Sequence, residues 1–239
     1  MKIKNLPSIS IFIPIRKNSK RIKNKSIKSI GKYKLGLTEI KILQIKKMLS
    51  KVKRDQVLKK YEFKIVISTD CKKIKKFVKN FKWILIHNRP KKLAKDDCLQ
   101  ELILEVPKIC SDGLIFWTHV TSPMFNSDHY IDSMKKFIFN LDKKKYDSLL
   151  TVDSNNQYLL NSKNKWISHN PKIKKWPRTQ DLKNIYHVNS AAFISTRKLY
   201  LKYRDRIGNK PYLYLSKKLS GYDIDSQSHF DYYKSYLLK

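Results

Sequence analysis

Three stretches of this 239-residue chain carry side chains able to do chemistry. The first is Arg16-Lys17-Asn18-Ser19-Lys20-Arg21-Ile22-Lys23-Asn24-Lys25-Ser26, directly after the apolar run Ile9–Ile15. A loop dense in cations with a hydroxyl can wrap a polyphosphate through side chains and exposed backbone N–H groups. It lacks the glycines of GxxxxGK[ST], so it is not a Walker A loop, and the alternative is a solvated basic loop. The second is Gly221-Tyr222-Asp223-Ile224-Asp225, near the C-terminus. Carboxylates at i and i+2 of an extended segment point the same way, which suits a hard cation taking oxygen ligands such as Mg²⁺, with Mn²⁺ as a substitute. The competing reading is that Asp225 caps the last helix. The third is Asn88-Arg89-Pro90, running on to Asp96-Asp97, where Arg89 is either a ligand-facing cation or half of a surface salt bridge.

The elements that must position these residues follow from hydrophobic periodicity. Short β-rich runs at Ile9–Ile15, Phe63–Thr69, Trp83–His87, Gly113–His119 and Ser148–Val152 fit buried strands. Between them lie helical stripes: Leu37 to Leu49, a lysine-rich helix from Asp70 to about Lys79, Leu99 to Val106, and a helix capped by Ser127 or Asp128. Strand–helix alternation predicts an α/β fold with a mostly parallel sheet and helices on both faces. Ligands of such sheets bind beyond the carboxyl ends of the strands. The segments Arg16–Ser26, Ser68–Cys71, Asn88–Asp97 and Thr118–Phe125 are therefore the places for function. Residues 153–187 break the pattern and read as an insertion. Val188–Ile194 returns to strand character, and Phe230, Tyr233 and Leu237 have helical spacing.

Composition narrows the class. An apolar fraction of 41% argues for a folded domain. No apolar run approaches a membrane span or a secretory signal, so a soluble cytoplasmic protein is expected. The net charge of +34 raises the possibility of a nucleic-acid binder. Yet only 8 of the 53 basic residues are Arg, and Lys is spread over the whole length, not gathered into a tract. Nucleic-acid readers lean on the arginine fork, so nucleic acid is a weak expectation. Anionic small substrates such as nucleotides suit the field better. Cys71, Cys98 and Cys110 form neither a disulfide framework nor a zinc motif, and the histidines have no metal-ligand spacing.

Taken together and in order, these motifs resemble the cytidylyltransferases that activate nine-carbon keto sugar acids, the CMP-sialic acid synthetase family. That family's IPAR-x-[GN]-SK-x-x-x-x-KN is similar to Ile13–Ser26, and its V-STD to Val66-Ile67-Ser68-Thr69-Asp70. Its RP-x-x-LA-x-D is similar to Arg89–Asp96 and its Q-PTSPLR to His119–Phe125. Its PR-x-QD and N-G-A-x-Y are similar to Pro177–Asp181 and Asn189–Phe193, and its S-x-DID to Gly221–Asp225.

The resemblance implies a Rossmann-like three-layer α/β/α nucleotidyltransferase domain spanning 1–239, with a small inserted dimerisation arm at about 124–187. It implies CTP and a nonulosonic acid as substrates, Mg²⁺ as cofactor, and a homodimer. Arg16, Lys20, Lys25 and Asp225 would carry catalysis. Arg16, Asn18, Ser19, Lys20, Lys25, Ser26 and Arg89 would hold the nucleotide, and Asp223 and Asp225 the metal. His119, Arg178, His187, Asn189 and Phe193 would line the sugar-acid pocket.

The departures cluster. Ser26 stands where the family has Asn, His119 for Gln, Val120 for Pro, Phe125 for Arg, His187 for Arg and Ser190 for Gly. Most lie on the sugar side, while the phosphate-side cations and the paired aspartates persist. This fits a transferase with a changed sugar acid. The alternatives are a catalytically weakened homologue, a transferase for another keto sugar acid such as Kdo, and a basic nucleic-acid-binding protein.

Overall fold

The computed structural model describes residues 7–17, 19–95 and 97–238. Asn18 and Asp96, both singled out from the sequence, lie outside the described residues. Seven strands form one sheet in the order β3-β2-β1-β4-β6-β5-β7. They are β1 (Ser8–Ile15), β2 (Glu62–Thr69), β3 (Ile84–Asn88), β4 (Gly113–Thr118), β5 (Ser148–Asn155), β6 (Ile185–Thr196) and β7 (Pro211–Leu215). β1 pairs in parallel with β2 and β4, β2 with β3, and β5 with β7. β6 runs antiparallel between β4 and β5. The mostly parallel, Rossmann-like α/β architecture expected from the strand–helix alternation is present.

The strand pleat divides the core into the two layers that helices must cover. Ile9, Ile11, Ile13 and Ile15 of β1 face one side with α1 (Gly36–Val52), α2 (Lys72–Val78), α4 (Ser127–Asp142) and α6 (Gln227–Leu238). Phe12 faces the other side, among Trp117, Phe193 and residues of α3 (Leu99–Ile109) and α5 (Arg197–Tyr203). β1 is buried on both faces, which is why it reads as a continuous apolar run and not an alternating one.

Several expectations are corrected. The lysine-rich helix starts at Lys72, not Asp70, because Asp70 accepts the Lys17 backbone N–H at 2.7 Å and Thr69 Oγ1 that of Cys71 at 3.1 Å. The cap of α4 is Asn126, which forms a reciprocal capping box with His129. The range of about 124–187 contains an excursion, together with parts of the domain body. α4 packs against α1, and β5 lies inside the sheet, so only residues 156–184 leave the domain body. That excursion carries its own ring cluster, Tyr158, Trp166, His169 and Trp176. Ile173 and Trp176 stay largely exposed.

Candidate active site

The site arises where two parallel neighbours part. β1 and β4 are paired only as far as Phe12 and Trp117, while β1 continues along β2 to Ile15. Pro14 sits past the last β1–β4 pair, where the missing N–H costs no ladder bond on that side. The chain order also switches here, with β2 and β3 on one side of β1 and β4 on the other. A crevice beyond the carboxyl ends of strands at such a switch is the expected ligand site. A cavity of about 490 Å³ opens there.

Its walls divide by chemistry. Pro14, Ile15, Leu93, Leu99, Leu102 and Trp117 give an apolar slot suited to a flat ring, while Arg16, Lys20, Arg21, Lys25, Arg89 and Lys95 supply positive charge. Ser19, Ser26, Cys98, His119, Val120, Thr121 and Asp225 complete the lining. The cation loop is held at defined points. Ile22 is buried, the Lys17 N–H is tied to Asp70, and Thr38 donates to the Ser26 carbonyl at 2.7 Å. Gly36 makes that approach possible: its φ is +48°, and a Cβ there would meet the Lys28 carbonyl oxygen at 1.9 Å.

The two ends of the chain meet in this cavity. Lys25 Nζ lies 3.5 Å from Asp225 Oδ1 and donates to the Ile224 carbonyl, and Arg21 Nη1 lies 2.5 Å from Asp225 Oδ2. Burial pushes the Asp225 carboxyl up, but Arg21 and Lys25 outweigh it and hold it below the usual range. Asp223 has the opposite balance. Burial, aided by Asp225, raises its pKa although Thr121, Lys25 and Ser122 work against it. Ile224 between them is fully buried, and its N–H donates to Thr121 O at 2.8 Å. Asp225 lies on the cavity wall; Asp223 is set behind it against Ser122.

Arg89 is buried and lines the cavity. Its Nε donates to Ser68 Oγ at 3.1 Å and its Nη2 to the Ser68 carbonyl at 2.8 Å. Burial pulls its pKa down to about 10, with Asp70 opposing. His119 receives a hydrogen bond from Trp117 Nε1 at 2.8 Å.

The structure thus gathers Arg16, Ser19, Lys20, Lys25, Ser26, Arg89, His119 and Asp225 around one cavity. It does not bring the other sugar-side residues there. Phe193 is a core residue: the alternation of β6 turns Ala192 and Ile194 to one core face and Phe193 to the other, 3.5 Å beneath the Arg206 guanidinium. Asn189 is buried outside the cavity, donating to Ser216 Oγ at 2.7 Å and accepting the Ala191 N–H at 3.2 Å. His187 is exposed on β6 opposite Asp153. Arg178 is exposed on the excursion in a two-point pair with Asp181.

Sequence reasoning gave Arg21 no role beyond membership of the cation loop, and it passed over Trp117 and Lys41. Lys41 is fully buried on α1 and donates to the Ser122 carbonyl at 3.0 Å, the Phe125 carbonyl at 3.4 Å and the Tyr130 hydroxyl. Gln44, one turn on, donates to the Pro123 carbonyl at 2.6 Å. α1 therefore fixes the Thr121–Phe125 turn that in turn holds Ile224. The available signal was a lysine inside the apolar stripe of Leu37, Ile45 and Met48.

Comparisons with known proteins agree with the geometry. Among solved structures, the chain is similar to CMP:2-keto-3-deoxy-manno-octonic acid synthetase complexed with CTP, at 11% identity and a TM-score of 0.58, covering 97% of this chain and 98% of that one. It is also similar to 4-diphosphocytidyl-2C-methyl-D-erythritol synthase from Anaerococcus prevotii, at 13% identity and a TM-score of 0.62, covering 98% and 99%. The bifunctional IspDF from Campylobacter jejuni matches at 15% identity and a TM-score of 0.58, covering 94% of this chain and 53% of that one. At these identities the likeness is one of fold. No curated protein sequence matches the chain. The cytidylyltransferase family model matches residues 10–236, nearly the whole chain. With the cation loop, the buried Arg89 and the closing aspartates around one switch-point cavity, the chain belongs to the cytidylyltransferase family and is a nucleotidyltransferase.

Proposed function

We propose that the protein transfers CMP from CTP to the anomeric hydroxyl of a sialic-acid-like nonulosonic acid, releasing pyrophosphate. The observation that carries this reading is the convergence of Lys20, Arg21, Lys25, Arg89 and Asp225 on one cavity that is also lined by Pro14, Leu93, Leu99 and Leu102. We assign the pyrimidine ring to the apolar lining of Leu93, Leu99, Leu102 and Pro14, and the triphosphate to the cations. The sugar-acid half rests on the motif resemblance.

The chemistry is attack of the hydroxyl on the α-phosphorus with departure of pyrophosphate. Negative charge spreads over the phosphoryl oxygens, so positioning and fixed positive charge supply most of the acceleration. We assign Lys20, Lys25, Arg16 and Arg21 to that task because they line the cavity. Asp225 on the cavity wall would hold a divalent cation, and Asp223, off the wall but strained as an anion by burial and by Asp225, would gain from a cation shared between the two hard oxygen donors. Among the described residues no cluster of three or more His, Cys, Asp or Glu forms. Nucleotide phosphates and water would complete the shell, as is usual for Mg²⁺. When bound, the ion would offset phosphate charge.

We read the assembly as a homodimer formed through the excursion, on the strength of its exposed Ile173 and Trp176. A cytoplasmic setting is supported by three buried free thiols, Cys71, Cys98 and Cys110. Among the described residues no helix is long and apolar enough to cross a membrane.

The test is a panel of nine-carbon and eight-carbon 2-keto acids with CTP and Mg²⁺, scored by pyrophosphate release. Turnover with a nine-carbon acid is expected. Turnover with only the eight-carbon acid would replace the substrate assignment. Thermal shifts add a second check: CTP should raise the melting temperature more than ATP by mass action. Equal shifts with all nucleotides would point to bulk electrostatics.

A further inference from the structure

The Trp117–His119 pair has a chemistry of its own. Trp117 is fully buried, packed edge-on against Phe12 at 5.0 Å, with the Arg206 guanidinium 4.9 Å from its ring. Its Nε1–H donates to His119 Nε2 at 2.8 Å. An indole N–H can only donate. His119 Nε2 must therefore present its lone pair, and the ring proton sits on Nδ1. Protonating Nε2 would set two N–H groups against each other. Charged groups around the ring act in the same direction. Burial pushes the His119 pKa down to about 3, and Arg206, Lys41, Arg89 and Lys25 add to the fall. All four neighbours are basic side chains, and Lys41, with its pKa lowered to about 7, is charged only below that. His119 also lines the cavity beside Arg89 and Thr121.

We propose that His119 is a specificity-determining residue: Trp117 locks it in the Nδ1–H tautomer, and that N–H donates to an sp² oxygen of the bound substrate. The oxygen is either the carbonyl of the pyrimidine or the carboxylate of the sugar acid; both present the same acceptor to the same donor. The substrate half of this statement rests on the cytidylyl transfer proposed above, and the tautomer half does not. A histidine held this way differs from an amide at the same position. It offers a donor and no acceptor, and it keeps that character throughout neutral pH.

The test uses the full-length chain labelled with ¹⁵N-histidine, with the His119 resonances identified by their loss in His119→Gln. Long-range ¹H–¹⁵N correlation between pH 5 and 8 should show a protonated Nδ1 and an unprotonated Nε2 that do not titrate. An Nε2–H tautomer, or titration with an ordinary midpoint, overturns the lock. Addition of CTP or of the 2-keto acid should move the Nδ1 resonance for the substrate whose oxygen is read. In kinetics, His119→Leu should raise the KM of that substrate about tenfold and leave the other unchanged, while His119→Gln recovers part of the loss. Unchanged KM for both substrates in His119→Leu, with no Nδ1 shift from either, overturns the recognition role. If the wild-type chain shows no turnover at all, the transfer reading fails while the ¹⁵N spectrum still decides the tautomer.

Discussion

Lys25 Nζ sits 3.5 Å from Asp225 Oδ1, and the same ammonium donates to the carbonyl of Ile224. Residues from the two ends of the chain thus share one wall of the cavity. Arg21 closes on the other carboxylate oxygen at 2.5 Å. The pair places a fixed negative group among the cations expected to receive phosphate, which limits their mutual repulsion when the cavity is empty.

Replacing Asp225 by Ala should lower kcat/KM for CTP by about 10²–10³. The fold should survive, because the Asp225 side chain is 47% exposed. Pyrophosphate release and far-UV circular dichroism together check this. Full turnover in the variant would remove Asp225 from the catalytic set.

Arg89→Lys should raise the KM for CTP by about tenfold although the formal charge is unchanged. Arginine makes two hydrogen bonds to Ser68 from separate nitrogens. A lysine ammonium cannot reproduce that fork. Ser68 Oγ, which also lies 3.0 Å from His87 Nδ1, would lose one of its partners. An unaltered KM would show that Arg89 serves packing only.

Lys41 makes stability depend on pH. Burial lowers its pKa from 10.5 to about 7, against the pull of Asp223. Between those values the unfolded chain binds the proton and the folded chain does not, so stability rises with pH there and the gain is absent below pH 7. The slope is at most about 1.4 kcal/mol per pH unit. Urea unfolding of the wild type should show this rise between neutral pH and pH 10, and Lys41→Met should flatten it. Parallel curves for the two proteins would refute the assignment.

The excursion should be separable from the domain. Asn155 and Ile185 face each other as the last pair of β5 and β6, so residues 157–183 can be replaced by an Asn-Gly turn. The shortened chain is expected to fold with a similar melting temperature and to sediment as a monomer, somewhat below half the mass of the wild-type dimer. Equal masses would place the dimer contact elsewhere or exclude it.

Much of the layer architecture could be read along the chain. β1 is buried on both faces and left a continuous apolar signature; α1 and α3 left helical stripes. α5 and β7 were missed because neither has a pattern. α5 has only seven residues, and Tyr214 alone is buried in β7, an edge strand. The antiparallel direction of β6 also had no local signal, since its residues look the same in either orientation.

The sequence by itself determined the donors: a loop of cations after the first strand, an arginine after the third, two aspartates before the last helix. Tertiary structure decided which of them share a space. It put Lys25 on Asp225, set Asp223 behind the wall, buried Phe193 under Arg206, and turned His119 into a donor by setting it against Trp117. Periodicity reports only how each residue faces its own element. Which elements become neighbours, and where two strands part to open a cavity, depends on strand order and register, which are properties of the whole sheet.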